Sequence, residues 1–182
     1  ENPGISTDEL TRKMYQQYIK GYYRLVKSVD DNVGRVLDYL KSSGLEKDTL
    51  VIYTSDQGFS LGEHGFYNKQ WMYENPLHQP LLVRLPGVIK PKQVHESMVN
   101  HVDLAPTILD YAGLPAPKDM QGHSLRDILE GRKKKVRDES YYHFYQHGKA
   151  LPEMIGIRTD THKLIHYPGM PGKYQWELFD LM

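Results

Sequence analysis

The sequence predicts an α/β fold that ends in a small antiparallel sheet. Three observations lead to this prediction: an amphipathic helical pattern opens the chain, short apolar runs rich in β-branched residues alternate with further helical patterns, and aromatic strand-like segments close it. With 182 residues, the chain can bury the core of one domain, or of one domain with an appendage. Because the composition shifts near residue 136, we divide the chain into an α/β part, 1–135, and an antiparallel part, 136–182.

A long helix is predicted near the start of the chain. Ser6 and Glu9 have the spacing of a capping box. Apolar residues then recur every three or four positions as far as Leu40, and Gly44 follows as the expected C-cap. Gly21 lies inside the pattern, where it can bend or divide the helix. The tyrosines of this apolar face are interpreted as packing residues.

The middle of the chain predicts strands and short helices in alternation. Residues 48–56 form a continuous apolar run, which is typical of a strand covered on both sides, and residues 80–87 predict a second strand. A helix is expected over 103–113, with Asp103 as its cap. A further short helix follows, capped by Ser124. This alternation indicates a layer of parallel strands.

The last part of the chain predicts the antiparallel sheet. Its strand-like segments are short, aromatic and β-branched, with turns between them. They are residues 139–147, 153–168 and 174–182.

Composition argues against several classes of function. Lys plus Arg and Asp plus Glu both number 23, so nothing in the net charge favours nucleic acid or an anionic membrane as partner. The basic run 131–137 is interpreted as a solvated loop. No segment has the ~20 apolar residues of a membrane span, and no signal peptide is recognised. Cysteine is absent, which excludes thiolate chemistry.

Asp56 and Gln57 are candidate metal ligands. They follow the strand predicted over 48–56, and in open α/β sheets ligands bind beyond the carboxyl ends of the strands. A carboxylate beside an amide oxygen suits a hard cation such as Ca²⁺ or Mg²⁺, which takes about six or more oxygen ligands. Two side chains leave that shell incomplete, and Asp-x-Gly is also a common turn. Both interpretations stay open.

The glycine-rich stretch after Gln57 leads to two further candidates. Glycines at 58, 62 and 65 let the backbone approach a ligand closely. Lys69 can supply a compact positive charge to an oxyanion substrate, or it is an ordinary surface lysine. His64 can exchange a proton near neutral pH, or it is a hydrogen-bonded loop residue.

Two histidine pairs are spaced by four residues, His143 with His147 and His162 with His166. A zinc-protease motif requires a helix and a Glu directly after the first His. Here Phe144 occupies that position in the first pair, a lysine occupies it in the second, and the context is strand-like. A zinc site is therefore not predicted.

A resemblance to one known family is carried by five stretches of the sequence, which are 22–74, 80–87, 102–125, 157–168 and 177–181. Together they resemble the type I, formylglycine-dependent sulfatases of the alkaline phosphatase superfamily. The resemblance extends over residues 20 to 181 and is most similar to bacterial enzymes acting on sulfated amino sugars or glycosaminoglycans, of the N-acetylglucosamine-6-sulfatase type. It implies that residues 1–135 are the C-terminal part of an alkaline-phosphatase-like α/β sandwich and that 136–182 are a small antiparallel subdomain.

The resemblance implies roles for three residues. Asp56 and Gln57 would be two ligands of the family's Ca²⁺, with Mg²⁺ as a possible substitute, and Lys69 would contact the sulfate oxygens. The family's other ligands, two acidic residues near its N-terminus, have no counterpart here. Gln70 and His78 stand where relatives have basic residues, which is a departure at the contacts to the leaving sugar.

The family's nucleophile is missing from this sequence. It is a formylglycine made from the first residue of a Cys- or Ser-x-Pro-x-Arg motif, and this chain has no cysteine and no Ser-x-Pro. We therefore expect a C-terminal fragment that is inactive alone. Its partners would be a sulfated sugar, and either the missing N-terminal half or another copy of the chain. Family habit implies an exported or lysosomal location.

Two other functions are carried as alternatives. The first is hydrolysis of a phosphate or phosphonate ester within the same superfamily. The nucleophile motif, which this sequence lacks, would distinguish that activity from sulfatase activity. The second is a non-catalytic carbohydrate-binding module, which the fourteen tyrosines would permit.

Overall fold

The computed structural model describes residues 6–145 and 151–182, and the chain divides into two compact units, Glu1–Thr49 and Leu50–Met182. In the first unit, helix α1 (Thr7–Ser42) runs without interruption through Gly21. Among the described residues, no helix has the length and apolar character to cross a membrane.

The predicted ends of α1 are confirmed. The Ser6 hydroxyl accepts a hydrogen bond from the Glu9 backbone N–H at 3.2 Å, which satisfies one of the free donors of the first turn. Gly44 follows the helix with a φ of 75°, a left-handed conformation that glycine adopts without strain. None of the residues of α1 is buried, and Tyr15 and Tyr18 are each 39% exposed.

The second unit begins with the strands that carry the candidate residues. Strand β1 (Val51–Thr54) leads into a small hairpin of β2 (Ser60–Leu61) and β3 (Tyr67–Asn68). A one-turn helix, α2 (Glu74–Leu77), follows, and β4 (Leu81–Arg84) then pairs with β1.

The pairing of β1 with β4 is antiparallel, so the predicted parallel arrangement is wrong for this pair. The physical reason lies in the intervening chain. The Gly58 N–H donates to the Pro76 carbonyl at 2.8 Å, which brings α2 back to the end of β1. Because β4 therefore starts where β1 stops, it has to run in the opposite direction.

Two further helices follow β4 in the second unit. A 3₁₀ turn (His101–Asp103) continues directly into α3 (Leu104–Tyr111), and a short α4 (Arg126–Leu129) comes later. Gly113, just past α3, has a φ of 72°. The two predicted helices are thus present, although both are shorter than the sequence pattern.

The predicted caps of these helices differ in detail from those observed. The Asp103 side chain makes no capping hydrogen bond to α3; its carboxylate instead accepts the backbone N–H groups of Asn100 at 2.7 Å and His123 at 2.8 Å. This carboxylate therefore closes the preceding 3₁₀ turn and does not cap α3. The Ser124 hydroxyl does accept the Arg126 N–H, at 3.2 Å.

The predicted antiparallel sheet at the end of the chain is confirmed. It has four strands in the order β5-β6-β7-β8, and each neighbouring pair is antiparallel. The strands are β5 (Glu139–Phe144), β6 (Met154–Thr159), β7 (His162–His166) and β8 (Trp176–Asp180).

The buried core of the second unit joins this sheet to the segment that precedes α2. Met72 is 1% exposed and packs with Met154, Ile165 and Tyr167. Gly156 leaves the space that Met72 fills, since a Cβ at this glycine would lie 2.1 Å from the methionine sulfur. The sheet therefore packs against Met72, which follows Lys69 closely in the sequence.

We predict that Gly156→Ala lowers the free energy of unfolding by about 1–3 kcal/mol, because the added methyl would also lie 2.6 Å from the Leu164 carbonyl oxygen, which cannot move independently of its strand. Thermal and urea unfolding measure the change. The control is Gly21→Ala in the interior of α1, where nothing lies within 4 Å of the added methyl. That change should raise stability by about 0.5–1 kcal/mol. Equal stability of both variants would contradict the prediction.

Candidate functional site

Asp56 and Gln57 lie directly after β1, as predicted. Asp56 is exposed and Gln57 is half-buried. The Ser55 hydroxyl lies 3.3 Å from one carboxylate oxygen of Asp56, and the Gln57 amide nitrogen lies 3.3 Å from the other. The polar ends of the two candidate ligands therefore meet at the end of the strand.

This pair fits a hard cation by the chemistry of its donors. The Gln57 carboxamide carries an oxygen on the same carbon as the nitrogen that now faces Asp56, so a rotation of the amide would put two oxygens side by side. Two such oxygens repel each other unless a cation lies between them. Within residues 6–145 and 151–182, no group of three or more His, Asp or Glu side chains could hold a metal by itself. The pair thus has donor chemistry suited to part of a cation site, and its role as metal ligands stays a prediction.

His101 supports the turn that carries Asp56, and sequence reasoning missed it. Its Nε2 lies 2.6 Å from the Ser55 carbonyl oxygen and its Nδ1 lies 3.4 Å from the Gln79 amide nitrogen. Because a carbonyl only accepts, Nε2 carries the proton and Nδ1 accepts from the amide. The sequence has nine histidines, and no local pattern distinguishes this one from the others.

The turn that carries His101 is fixed by a buried ion pair. Asp103 is fully buried, and the Arg137 guanidinium reaches its two carboxylate oxygens at 2.5 and 2.8 Å. Together with the two backbone N–H groups that the carboxylate accepts, this pairing satisfies the buried charge. Arg137, just before β5, therefore helps to fix the turn that carries His101, and the interpretation of residues 131–137 as a solvated loop is wrong for this residue, whose side chain is 12% exposed.

The hairpin after Gln57 is built on left-handed backbone. Gly62 has a φ of 119°, Gly65 has a φ of 78°, and the candidate His64 between them has a φ of 55°. Glu63 closes the turn by accepting the Leu61 N–H at 2.6 Å, and hydrogen bonds from its own and the Leu61 N–H lower its pKa. His64 is exposed at the tip of this turn.

Lys69 follows β3 and is half-buried. Its two neighbours, Asn68 and Gln70, both have positive φ values, 97° and 81°. Such conformations cost of the order of 1–3 kcal/mol each for residues other than glycine. The backbone around the candidate sulfate contact is therefore held in a strained conformation.

Helix α2 connects the Asp56 turn with the Lys69 segment. A Cβ at Gly58 would lie 1.9 Å from the Asn75 carbonyl oxygen, so only glycine allows the turn after Gln57 to lie this close to α2. The segment from Lys69 runs directly into this helix. Both candidate groups therefore adjoin α2: Asp56 and Gln57 through the contact of Gly58 with the helix, and Lys69 through the chain that leads into it.

Glu74, the first residue of α2, binds two cations of the C-terminal sheet. Its carboxylate lies 3.0 Å from the Arg158 guanidinium and 3.0 Å from the Lys163 ammonium, and the Lys163 side chain is only 2% exposed. Burial by itself would raise the pKa of Glu74, but the hydrogen bonds from Arg158 and Lys163 outweigh that effect and lower it.

Aromatic hydroxyls complete the attachment of this segment to the sheet. The Tyr142 hydroxyl donates to the Gln70 carbonyl at 2.6 Å. The Tyr167 hydroxyl donates to Glu177 at 2.6 Å, and the Tyr73 hydroxyl lies 3.3 Å from the same carboxylate. Residues 70–74 are therefore held at several points by the sheet.

The histidine pairs have other partners in the structure. His143 lies 2.8 Å from a Glu153 carboxylate oxygen, and its ring contacts that of Tyr145. His166 stacks on Trp176 with ring centroids 4.1 Å apart. His147 lies outside the described residues.

Two family models match the chain. The model described as "Sulfatase" matches residues 3–114, and that described as "N-sulphoglucosamine sulphohydrolase, C-terminal" matches residues 62–182. Each covers more than half of the chain.

Curated relatives match along most of this chain but along a minor part of their own length. N-acetylglucosamine-6-O-sulfatase of Bacteroides thetaiotaomicron is 42% identical over 172 residues, which are 92% of this chain and 30% of the relative. Arylsulfatase K of Gallus gallus is 33% identical over 170 residues, 88% of this chain and 31% of the relative. The chain thus spans about a third of the length of these relatives.

Solved structures confirm the predicted fold class. A protein solved in complex with its substrate D-glucosamine-2-N,6-O-disulfate has a TM-score of 0.91 and 40% identity, over 98% of this chain and 37% of that one. Phosphonate monoester hydrolase of Silicibacter pomeroyi has a TM-score of 0.81 and 30% identity, over 98% and 37%. The division of the chain at residue 136 stays a prediction.

We predict that Glu74→Gln lowers the free energy of unfolding at neutral pH by about 1–3 kcal/mol, less than for a fully buried pair because the Glu74 side chain is 43% exposed. The folded-state pKa of Glu74 is lowered, so the stabilisation by its charge is present above the ordinary glutamate pKa of about 4.3 and is lost as the pH falls through the folded value. Urea unfolding of wild type and variant at a series of pH values should therefore show a difference that shrinks on acidification.

The matched control is Glu9→Gln, which removes an exposed ion pair with Lys13 on α1. Its effect should stay below about 0.5 kcal/mol at every pH. A difference for Glu74→Gln that is constant with pH, or no larger than that of Glu9→Gln, would contradict the prediction.

Proposed function

Because the chain belongs to the sulfatase family, we propose that it forms part of the active site of an enzyme that hydrolyses sulfate esters of amino sugars. The observation that carries the proposal is the likeness, along nearly the whole chain, to a protein solved with a disulfated glucosamine as its substrate. The Bacteroides relative, an N-acetylglucosamine-6-O-sulfatase, supports the same class of substrate.

Lys69 is proposed to bind the sulfate group. Its ammonium is a compact positive charge, and a sulfate ester that is being cleaved concentrates negative charge on oxygen. The residue is half-buried and lies between two residues with positive φ, so its backbone is constrained, which supports a role beyond that of an ordinary surface lysine.

Asp56 and Gln57 are proposed to hold Ca²⁺, or Mg²⁺ in its place. When bound, such a cation stabilises negative charge on the sulfate oxygens. The Asp56 carboxylate and the Gln57 amide provide the oxygens, and His101 fixes the backbone of the preceding residue. Further ligands would come from outside this chain or from water.

The nucleophile is proposed to come from a segment that this sequence does not contain, because the formylglycine motif of the family is absent from it. The chain by itself would then turn over no sulfate ester, and the remaining part of the enzyme is its proposed partner. An exported location is also proposed, since one relative is named an extracellular sulfatase.

We predict that Lys69→Ala and Asp56→Asn each lower kcat/KM for the sulfate ester by about 10²- to 10³-fold, because each removes a charge that acts on the sulfate oxygens. The measurement is hydrolysis of N-acetylglucosamine-6-sulfate by the complete encoded polypeptide. Lys118→Ala, at an exposed position, is the control and should leave the rate unchanged. Wild-type rates in both site variants would contradict the proposed roles.

We further predict that a chelator abolishes the activity, that added Ca²⁺ restores it, and that Asp56→Asn requires a higher Ca²⁺ concentration for restoration. The assay should include a phosphonate monoester, since a phosphonate monoester hydrolase shares the fold. Faster turnover of the phosphonate than of the sulfate ester would favour the alternative activity. Activity that is insensitive to chelation would argue against the cation.

A further inference from the structure

The backbone on both sides of Lys69 requires support from elsewhere in the molecule. Asn68 and Gln70 have φ values of 97° and 81°, which side-chain-bearing residues rarely adopt. Strained conformations of this kind persist only where the surrounding structure holds them. Contacts from other parts of the molecule must therefore prevent residues 68–70 from relaxing.

The contact nearest to Lys69 comes from Tyr142 on β5. Its hydroxyl donates to the Gln70 carbonyl at 2.6 Å, a short and direct hydrogen bond to the strained residue itself. Tyr142 is half-buried, and burial raises its pKa, so the hydroxyl stays protonated as a donor at neutral pH.

Tyr142 belongs to the face of the sheet that holds the rest of the segment. In the sheet register it lies opposite Gly156, the residue that leaves room for Met72. Glu74 is held by Lys163 from the same sheet. The chain after Lys69 is thus fixed at Gln70, Met72 and Glu74, and only the first of these contacts acts on the strained backbone.

We propose that Tyr142 is a positioning residue for Lys69: its hydroxyl holds the Gln70 backbone in the left-handed conformation and so fixes where the Lys69 ammonium points. This inference rests on the proposed sulfate-binding role of Lys69. Tyr142 itself needs no contact with substrate, because it acts through the peptide group that follows the lysine.

The test is Tyr142→Phe in the complete encoded polypeptide, assayed with N-acetylglucosamine-6-sulfate. Loss of the hydrogen bond to the carbonyl of Gln70, the strained residue, should lower kcat/KM about tenfold. The matched control is Tyr141→Phe, the adjacent residue on the same strand, whose side chain is 65% exposed. It should leave kcat/KM unchanged.

Two further variants separate positioning from general stability. In a Lys69→Ala background, Tyr142→Phe should cause no additional loss, because the group that it positions is gone. In a Gln70→Gly background, the loss caused by Tyr142→Phe should be clearly smaller than tenfold, because glycine adopts a positive φ without support. An equal loss in all three backgrounds would overturn the proposal.

The outcomes also distinguish this inference from the proposed function. If Lys69→Ala abolishes sulfate hydrolysis while Tyr142→Phe retains the wild-type kcat/KM, the positioning role is wrong and the proposed function stands. If the complete polypeptide hydrolyses no sulfate ester, or Lys69→Ala leaves the rate unchanged, the proposed function fails and the inference fails with it.

Discussion

Lys163 is a lysine that the C-terminal sheet buries almost completely, and a buried ammonium is tolerated only where an anion meets it. Glu74 is that anion, so the first turn of α2 has to lie on the sheet. The carbonyl groups of α2 in turn lie against Gly58, which closes the turn after Asp56 and Gln57. The placement of Asp56 and Gln57 thus depends on the ion pair between Glu74 and Lys163, which acts through α2. Lys163 lies more than a hundred residues after these two candidate ligands in the sequence.

A second ion pair supports the same turn by a different route. Arg137 neutralises the buried Asp103, the closed 3₁₀ turn presents His101, and His101 binds the Ser55 carbonyl. The candidate site is therefore connected to the C-terminal part of the chain by two separate routes. None of the residues in these routes needs to touch a substrate, yet each determines the shape of a segment that is proposed to do so.

Local patterns were sufficient to predict most of the elements and to single out two adjacent candidate residues. The cap at Ser6, the strand before Asp56 and the aromatic strands at the end of the chain follow from residue type and spacing. Asp56 and Gln57 could be singled out because ligands bind beyond strand ends. The supporting residues could not: His101 acts across 46 positions, Tyr142 across 72 and Lys163 across 89, and no short-range pattern records such a pairing. The predicted direction of β4 was wrong for the same reason, since that direction depends on where α2 packs.

The strained backbone around Lys69 has a consequence for the order of folding. The hairpin of β2 and β3 can form early, because its residues are close in sequence. The Tyr142 hydroxyl, which is proposed to hold Gln70, reaches the Gln70 carbonyl only after a loop of 72 residues has closed. A nascent chain would therefore acquire the proposed geometry around Lys69 later than the hairpin, and an intermediate with an unformed C-terminal sheet would carry Asp56, Gln57 and Lys69 without the hydrogen bond from Tyr142 to Gln70.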